Sequence, residues 1–377
     1  MAMEKFILVA VLIILGLLVA GWGVERHEGV KLEFLGSYSI PTEAWTFGTM
    51  PVGGLSGLAY DPAKGLYYGI SDDRGEHGIP GRLYTLQIAL DREGIHGVQV
   101  CCVTFLDSDA TAPGIQPYPP KGIDAEEVVL TPAGTLLISS ERDANDQPWI
   151  REFAPDGVLL KEIPLSEEFM PAEGKGVRPN LAFEGMALTP DGQTLYVVNE
   201  QALAQDGPTS TVDHGTTVRI VQYDLSGETP QVVAEYAYLT EPIFAPPRDD
   251  YADNGVSAML YVKHLLPQYD LLVVERAYSA GVGNDIKVFR VRLEGAEDVK
   301  GLPALPFPFT GKAVEKELLL RISAIEKFSD IQVTPDNIEA ITLGPLLPNG
   351  HPTLILASDN NFNPHQRNLF LAFELVP

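Results

Sequence analysis

The chain has 377 residues, 45% hydrophobic and 20% charged, a balance that marks a folded protein with a sizeable core and excludes a disordered one. Its 51 acidic and 26 basic residues give a formal charge of -25, which excludes nucleic acid and bare anionic membranes as partners. With 35 glycines and 30 prolines the composition favours short strands joined by turns over long helices.

Residues 1–24, MAMEKFILVAVLIILGLLVAGWGV, place Lys5 before 19 uncharged, mostly apolar residues. This pattern predicts an export signal or a single membrane anchor through residues 6–24, with Val19, Ala20 and Gly21 as a small-residue cleavage site. On either reading the remaining chain faces the periplasm or the exterior. Cys101 and Cys102 are adjacent on an apolar run, where neighbouring side chains point to opposite faces and a mutual disulfide would be strained, so both are expected to be packing residues.

From residue 30 onward one pattern recurs: a small or acidic start, an apolar strand, a turn, a second apolar strand and an acidic end. Its copies are SGLAYDPAKGLYYGISDD from Ser56, EEVVLTPAGTLLISSERD from Glu126, EGMALTPDGQTLYVVNE from Glu184, SAMLYVKHLLPQYDLLVVER from Ser257 and EAITLGPLLPNGHPTLILASDN from Glu339. The turns DPAKG, TPAGT and TPDGQ are hairpin connectors. Two further strands follow each copy except the last, which has RNLFLAFEL alone, and VKLEFLGSYSI at residues 30–40 can supply its missing strand. The pattern predicts an all-β chain: a β-propeller of five four-stranded blades over residues 30–377, closed by its N-terminal strand. The long interval from Ser257 to Glu339 leaves room for a sixth blade. A large β-sandwich is the alternative, but it gives no reason for repeated copies.

In an antiparallel hairpin the start of the first strand and the end of the second lie side by side. The acidic starts and ends therefore gather at one mouth of the central channel: Asp72, Asp73, Glu126, Glu141, Glu184, Glu200, Glu275, Glu339 and Asp359. The long polar connections lie on that side as well, where sites usually form. Two carboxylates about 5 Å apart repel by roughly 3 kcal/mol at an effective dielectric of about 20. Compensation comes from a divalent cation, from protonation, or from Arg74, Arg142, Arg178 and Arg276 nearby. Oxygen ligands suit calcium, with magnesium as a second candidate, and the seven histidines show no zinc spacing. Acidic strand ends paired with arginines can also simply staple blades together. Ser56 lacks the G-x-S-x-G setting of a hydrolase nucleophile and no phosphate-binding GKS or GKT run occurs. Ser56 is expected to allow close packing at the channel.

The ordered motifs GGLSGLAYDP with SDDR, DAEEV, RPNLAFEGMALTPDG, VERAY, DNIEAITLGP and SDNNF resemble the phytase-like family described as having esterase-like activity. The resemblance covers nearly the whole chain after residue 30. It implies a metal-assisted hydrolase of small-molecule esters or phosphoesters, with Glu126, Asn180, Glu184, Glu275, Arg276, Asn337, Glu339, Asp359 and Asn361 at the family's site positions. On this reading Glu184 is the base, with Glu275 and Arg276 beside it in catalysis. Arg74, Arg142, Arg178, Asn180, Asn337 and Asn361 hold substrate, and Asp72, Asp73, Glu126, Glu141, Glu200, Glu339 and Asp359 hold the metal. Glu127 stands where the family favours glycine, and is expected either to disturb the site or to face outward. The readings from other classes are a non-catalytic periplasmic propeller that binds a protein or glycan, and a calcium-dependent lactonase. Oligomeric state is not legible in the sequence.

Overall fold

Residues 30–323 and 334–376 are described by the computed structural model, and the leader expected over residues 1–24 lies outside them. The first strand, β1 (Lys31–Pro41), is followed by a two-stranded ribbon of β2 (Thr46–Phe47) and β3 (Met50–Pro51). Four meanders then follow in chain order. The first is β4 (Leu55–Asp61), β5 (Leu66–Ser71), β6 (Arg82–Asp91) and β7 (Gly94–Phe105); the second is β8 (Ala125–Leu130), β9 (Leu136–Ser140), β10 (Trp149–Phe153) and β11 (Leu159–Ile163). The third is β12 (Phe183–Leu188), β13 (Thr194–Asn199), β14 (Thr217–Asp224) and β15 (Gln231–Leu239). The fourth is β16 (Ala252–Tyr261), β17 (Leu271–Ser279), β18 (Gly283–Arg292) and β19 (Glu315–Arg321). The fifth sheet joins β20 (Ile338–Leu346), β21 (Pro352–Ser358) and β22 (Arg367–Val376) to β1, from the opposite end of the described chain. The molecule is a five-bladed β-propeller.

The inner strands β4, β8, β12, β16 and β20 touch one another in a closed ring. Hydrophobic clusters lie between the fifth and first, first and second, second and third, and third and fourth blades, as wedges around the axis. Within each inner strand the ladder slips at an equivalent place. Between Leu55 and Gly57, Phe183 and Gly185, Val256 and Ala258, and Ile338 and Ala340 one residue is skipped, and the second blade slips between Ala125 and Val128. The residues left without a ladder partner are Ser56, Glu126 with Glu127, Glu184, Ser257 and Glu339. A bulge of this kind re-aims a side chain that regular pleating would turn elsewhere.

No sixth blade forms among the described residues. Residues 294–314 instead cover the outer strand of the third blade, where Val299 and Val314 donate backbone hydrogen bonds to Glu235 and Ala237 (2.8 and 3.0 Å). Beneath this cover Arg219 is fully buried, bonded to Asp206 (2.7 and 2.9 Å), Glu235 (2.9 Å) and the Leu302 carbonyl (3.0 Å). The cysteines are not packing residues. β7 is an outermost strand, and a bulge at Cys101 opposite Thr85 and Leu86 leaves both thiols exposed and free.

β1 pairs with β22 along its length, from Lys31 opposite Val376 to Pro41 opposite Arg367, and lays Leu35, Tyr38 and Ile40 against the cluster between the fifth and first blades. Each apolar side chain so covered contributes on the order of 1 kcal/mol or more. A chain starting at Thr42 should therefore melt about 4 °C or more below one starting at Val30 by differential scanning calorimetry. Equal midpoints would show that the closure is not a source of stability.

Candidate functional site

The bulged residues and the ends of the second strands open on one polar cavity of about 1130 Å³. Its wall includes Asp72, Asp73, Asp124, Glu126, Glu184, Glu200, Asp253 and Glu339, with Arg74, Arg142 and Arg276 among them. Three groups of carboxylates have oxygens within 4.8 Å of one another: Asp124 with Glu126 and Glu141, Glu141 with Glu184 and Glu200, and Asp72 with Glu339 and Asp359. Glu141 belongs to two of them.

Burial sets the electrostatics here. It pushes the Glu126 carboxyl well above the ordinary range, with Glu184 and Glu141 adding to the effect. Glu184 is lifted likewise by burial and then by Glu200 and Glu141, against the pull of Arg276. Burial carries Glu141 to about 7, and burial with Glu339 alongside carries Asp359 to about 8. Asp72, Glu200 and Glu339 are raised by burial too, the last two despite Arg276 beside them. Without a cation the ring favours holding protons over carrying its full charge.

Side chains from neighbouring blades pin the ring. Ser56 Oγ donates to Glu126 Oε2 (2.6 Å), and the Ala182 amide donates to Glu141 Oε1 (2.5 Å). Arg276 reaches across the mouth, from Glu200 of the third blade (2.7 Å) to Glu339 of the fifth (3.1 Å), and donates to Asn337 Oδ1 (2.7 Å). Burial pulls its pKa down, but Glu339 and Glu200 outweigh that and hold it above the usual value. On the opposite wall Arg74 and Arg142 share one oxygen of Asp124 (3.2 and 2.6 Å), and Arg142 also donates to Asn180 Oδ1 (2.6 Å). Asn180, Asn361 and Phe362 hold positive φ values of 59°, 47° and 49°. That conformation is uncommon for residues with a Cβ, especially an aromatic, and clusters at functional sites. The Phe362 ring packs at a tilt against His77 at the mouth, with centroids 4.2 Å apart.

The model of the phytase-like family, described as esterase-like activity of phytase, matches residues 50–362. The chain belongs to this family. A secreted protein of Arthroderma benhamiae is 27% identical over 184 residues, covering 42% of this chain and 35% of that protein, so the chain spans about a third of the curated relative it matches. Among solved structures, the periplasmic gluconolactonase of Pseudomonas aeruginosa is 12% identical with a TM-score of 0.38, covering 93% of this chain and 100% of that one. A gluconolactonase of Xanthomonas campestris is 12% identical with a TM-score of 0.33, covering 93% and 99%. Both likenesses are too loose to bear on the site.

Most positions named from the sequence come together. Asp72, Asp73, Arg74, Glu126, Arg142, Asn180, Glu184, Glu200, Arg276, Asn337, Glu339 and Asn361 line the cavity, and Glu141 and Asp359 lie within its carboxylate groups. Asp73 is committed elsewhere on that wall, paired with the buried Arg82 (3.0 Å) and with His77 (3.3 Å). Glu275 and Arg178 are not in the lining. Glu275 is the neighbour of Arg276 on a strand and so points the opposite way, where Tyr238 and Lys316 donate to it (2.7 and 2.6 Å). Arg178 braces a loop through the Ala202 and Gly207 carbonyls (3.0 and 2.7 Å). Glu127 neither enters this cavity nor faces outward; it is 1% exposed and turned along the axis. Asp124, Asp253 and the hydroxyl of Ser56 belong to the site unannounced. Asp124 could have been found two residues before Glu126, since alternate strand residues share a face.

Two outcomes follow. Raised carboxyl pKa values mean that the folded state binds more protons than the unfolded one, so in chelator stability is greatest near the ordinary carboxyl pKa of about 4 and falls as pH rises through 7 and 8. Melting midpoints between pH 5 and pH 8.5 should decline steadily, and a flat or rising profile would contradict this. Arg276→Met leaves buried Glu200 and Glu339 without their cation and should cost about 3 kcal/mol at pH 8 in urea unfolding, less at pH 5.

Proposed function

We propose that this protein is an exported hydrolase of small-molecule esters or phosphoesters that works with divalent cations, calcium foremost, at the carboxylate mouth of the propeller. One observation carries the reading: three carboxylate triads, two of them sharing Glu141, each place two members in the wall of a single polar cavity that also holds arginines. The triads offer only hard oxygen donors, and burial makes their full ionisation unfavourable without a counter-charge, which fits calcium or magnesium. Asp124, Glu126, Glu141 and Glu200 would hold the ions on one side, and Asp72, Glu339 and Asp359 on the other. Bound there, such ions supply Lewis-acid polarisation of a water or of a substrate oxygen.

The chain's own residues supply the rest. Glu184 lies among carboxylates that lift its proton affinity, which suits it to take a proton from an attacking water. Arg276, held by Glu200, Glu339 and Asn337, keeps a fixed positive charge at the cavity for negative charge that develops on the substrate. Arg74 and Arg142, anchored side by side on Asp124, suit the anionic part of a phosphoester or of the product acid. Asn180, Asn337 and Asn361 add neutral polar groups to the same wall. Family membership and the leader-like first 24 residues support the hydrolase and its export, as does a relative called a secreted protein.

Turnover of nitrophenyl acetate, nitrophenyl phosphate and an aliphatic lactone, measured with calcium and with chelator, tests this. At least one substrate should be hydrolysed in a chelator-sensitive way, and Glu184→Gln should lower kcat by about 100-fold or more with its melting midpoint intact. Calcium that raises the midpoint while no substrate turns over would instead mark a non-catalytic binding propeller.

A further inference from the structure

Three aromatic rings interrupt the polar wall of the carboxylate cavity. Prolines aside, Leu181 is the only aliphatic side chain in its described lining, and the remaining apolar surface belongs to Tyr251, Tyr278 and Phe362. A small-molecule site ordinarily grips the bulk of its ligand through apolar groups and orients it through a few polar ones. Here most of that grip is left to ring faces. Phe362 is already engaged, with His77 packed against it and the Arg82 guanidinium 5.7 Å from its centroid. Among the described ring contacts Tyr251 and Tyr278 meet only each other, with centroids 6.1 Å apart and planes at 40°. Tyr251 is 56% exposed.

The register of β16 and β17 sets where these two rings stand. Side chains two apart on a strand share a face, so Tyr278 faces the cavity with Arg276 and lies roughly 7 Å nearer the rim. Asp253 stands opposite Tyr278 in the ladder, and the Tyr251 hydroxyl donates to Asp253 Oδ2 (2.8 Å). That bond commits the hydroxyl proton and holds the side chain at the rim, so what Tyr251 offers a ligand is its ring. Arg276 is fixed in turn by Glu200, Glu339 and Asn337. From floor to rim, one wall therefore presents a fixed positive charge and then two rings. A substrate with its reacting group beside Arg276 would lay its body on them.

We propose that the substrate carries an aromatic ring next to its ester or phosphoester group, and that Tyr251 and Tyr278 set this specificity by receiving the ring while the ester group lies at Arg276. The inference rests on the hydrolase reading in calling the ligand a substrate; the ring subsite itself is a matter of binding. Contact between aromatic rings is worth more than the area it buries, so a saturated ring of the same size gains less from this wall.

Calorimetric titration in calcium with benzoate and phenylphosphonate, each against the cyclohexyl compound with the same head group, tests it. In at least one pair the aromatic member should bind at least about fivefold more tightly. The double variant Tyr251→Leu with Tyr278→Leu should bring the pair level, whereas Tyr251→Phe, which keeps the ring, should preserve the preference. Should the double variant fail to fold, Tyr251→Leu alone, at a largely exposed position, should still reduce it. Equal binding within both pairs, no binding of either aromatic compound, or a preference unchanged in the leucine variants would overturn the inference. Turnover of esters alongside equal binding would sink this inference and leave the hydrolase reading standing; a ring preference in a protein that turns nothing over would do the reverse.

Discussion

Mutual repulsion among buried carboxylates is the constraint on which the architecture turns. Each blade could fold with its inner strand in regular pleat, yet each carries an extra residue at the same level, and three of the residues freed in this way are acidic at the mouth. The geometry that concentrates charge also recruits what restrains it. Arg276 spans the third and fifth blades, Ser56 ties the first to the second, and the Ala182 amide ties the third to Glu141 of the second. Site and inter-blade fastening are the same set of contacts, so a purely structural role and a functional role for any one of these residues are not alternatives.

That arrangement explains why a carboxylate ring persists in a folded protein. A lone buried ion would neutralise itself by shifting its pKa, and several groups here do so in part, as the values of about 7 for Glu141 and about 8 for Asp359 indicate. Removing the charges would relieve the repulsion but dissolve the links between blades. An incoming cation would relieve the repulsion without removing the charges that make the links.

Much of this was legible in the sequence because the signal was repeated. A strand pair with a tight turn means little once, but copies flanked by acidic residues specify both the meander and the end of the channel at which charge collects. The closing strand was legible from arithmetic, since the last copy lacked one strand and residues 30–40 offered it. What escaped was set by side-chain direction and by local irregularity. Glu275 and Arg276 are neighbours on β17 and necessarily face opposite ways, and the sequence does not say which faces the cavity. The slips in the inner strands were invisible because a bulge leaves no gap in an apolar run, and without them Glu126 at the mouth cannot be told from Glu127 turned along the axis. The cysteines looked like core residues for the same reason, until a bulge on an outer strand turned them to solvent.

The pairing of β1 with β22 has a temporal consequence. β1 is made before the other described strands and finds its partner only when residues 367–376 have emerged. Contacts of such sequence separation form late. Until then the ring stays open, Asp72 of the first blade is not yet gathered with Glu339 and Asp359 of the last, and a nascent chain exposes an unpaired edge that other proteins can engage. Asp72, Glu339 and Asp359 would be able to hold a cation only after that closure, which rests on the pairing of residues 367–376 with β1.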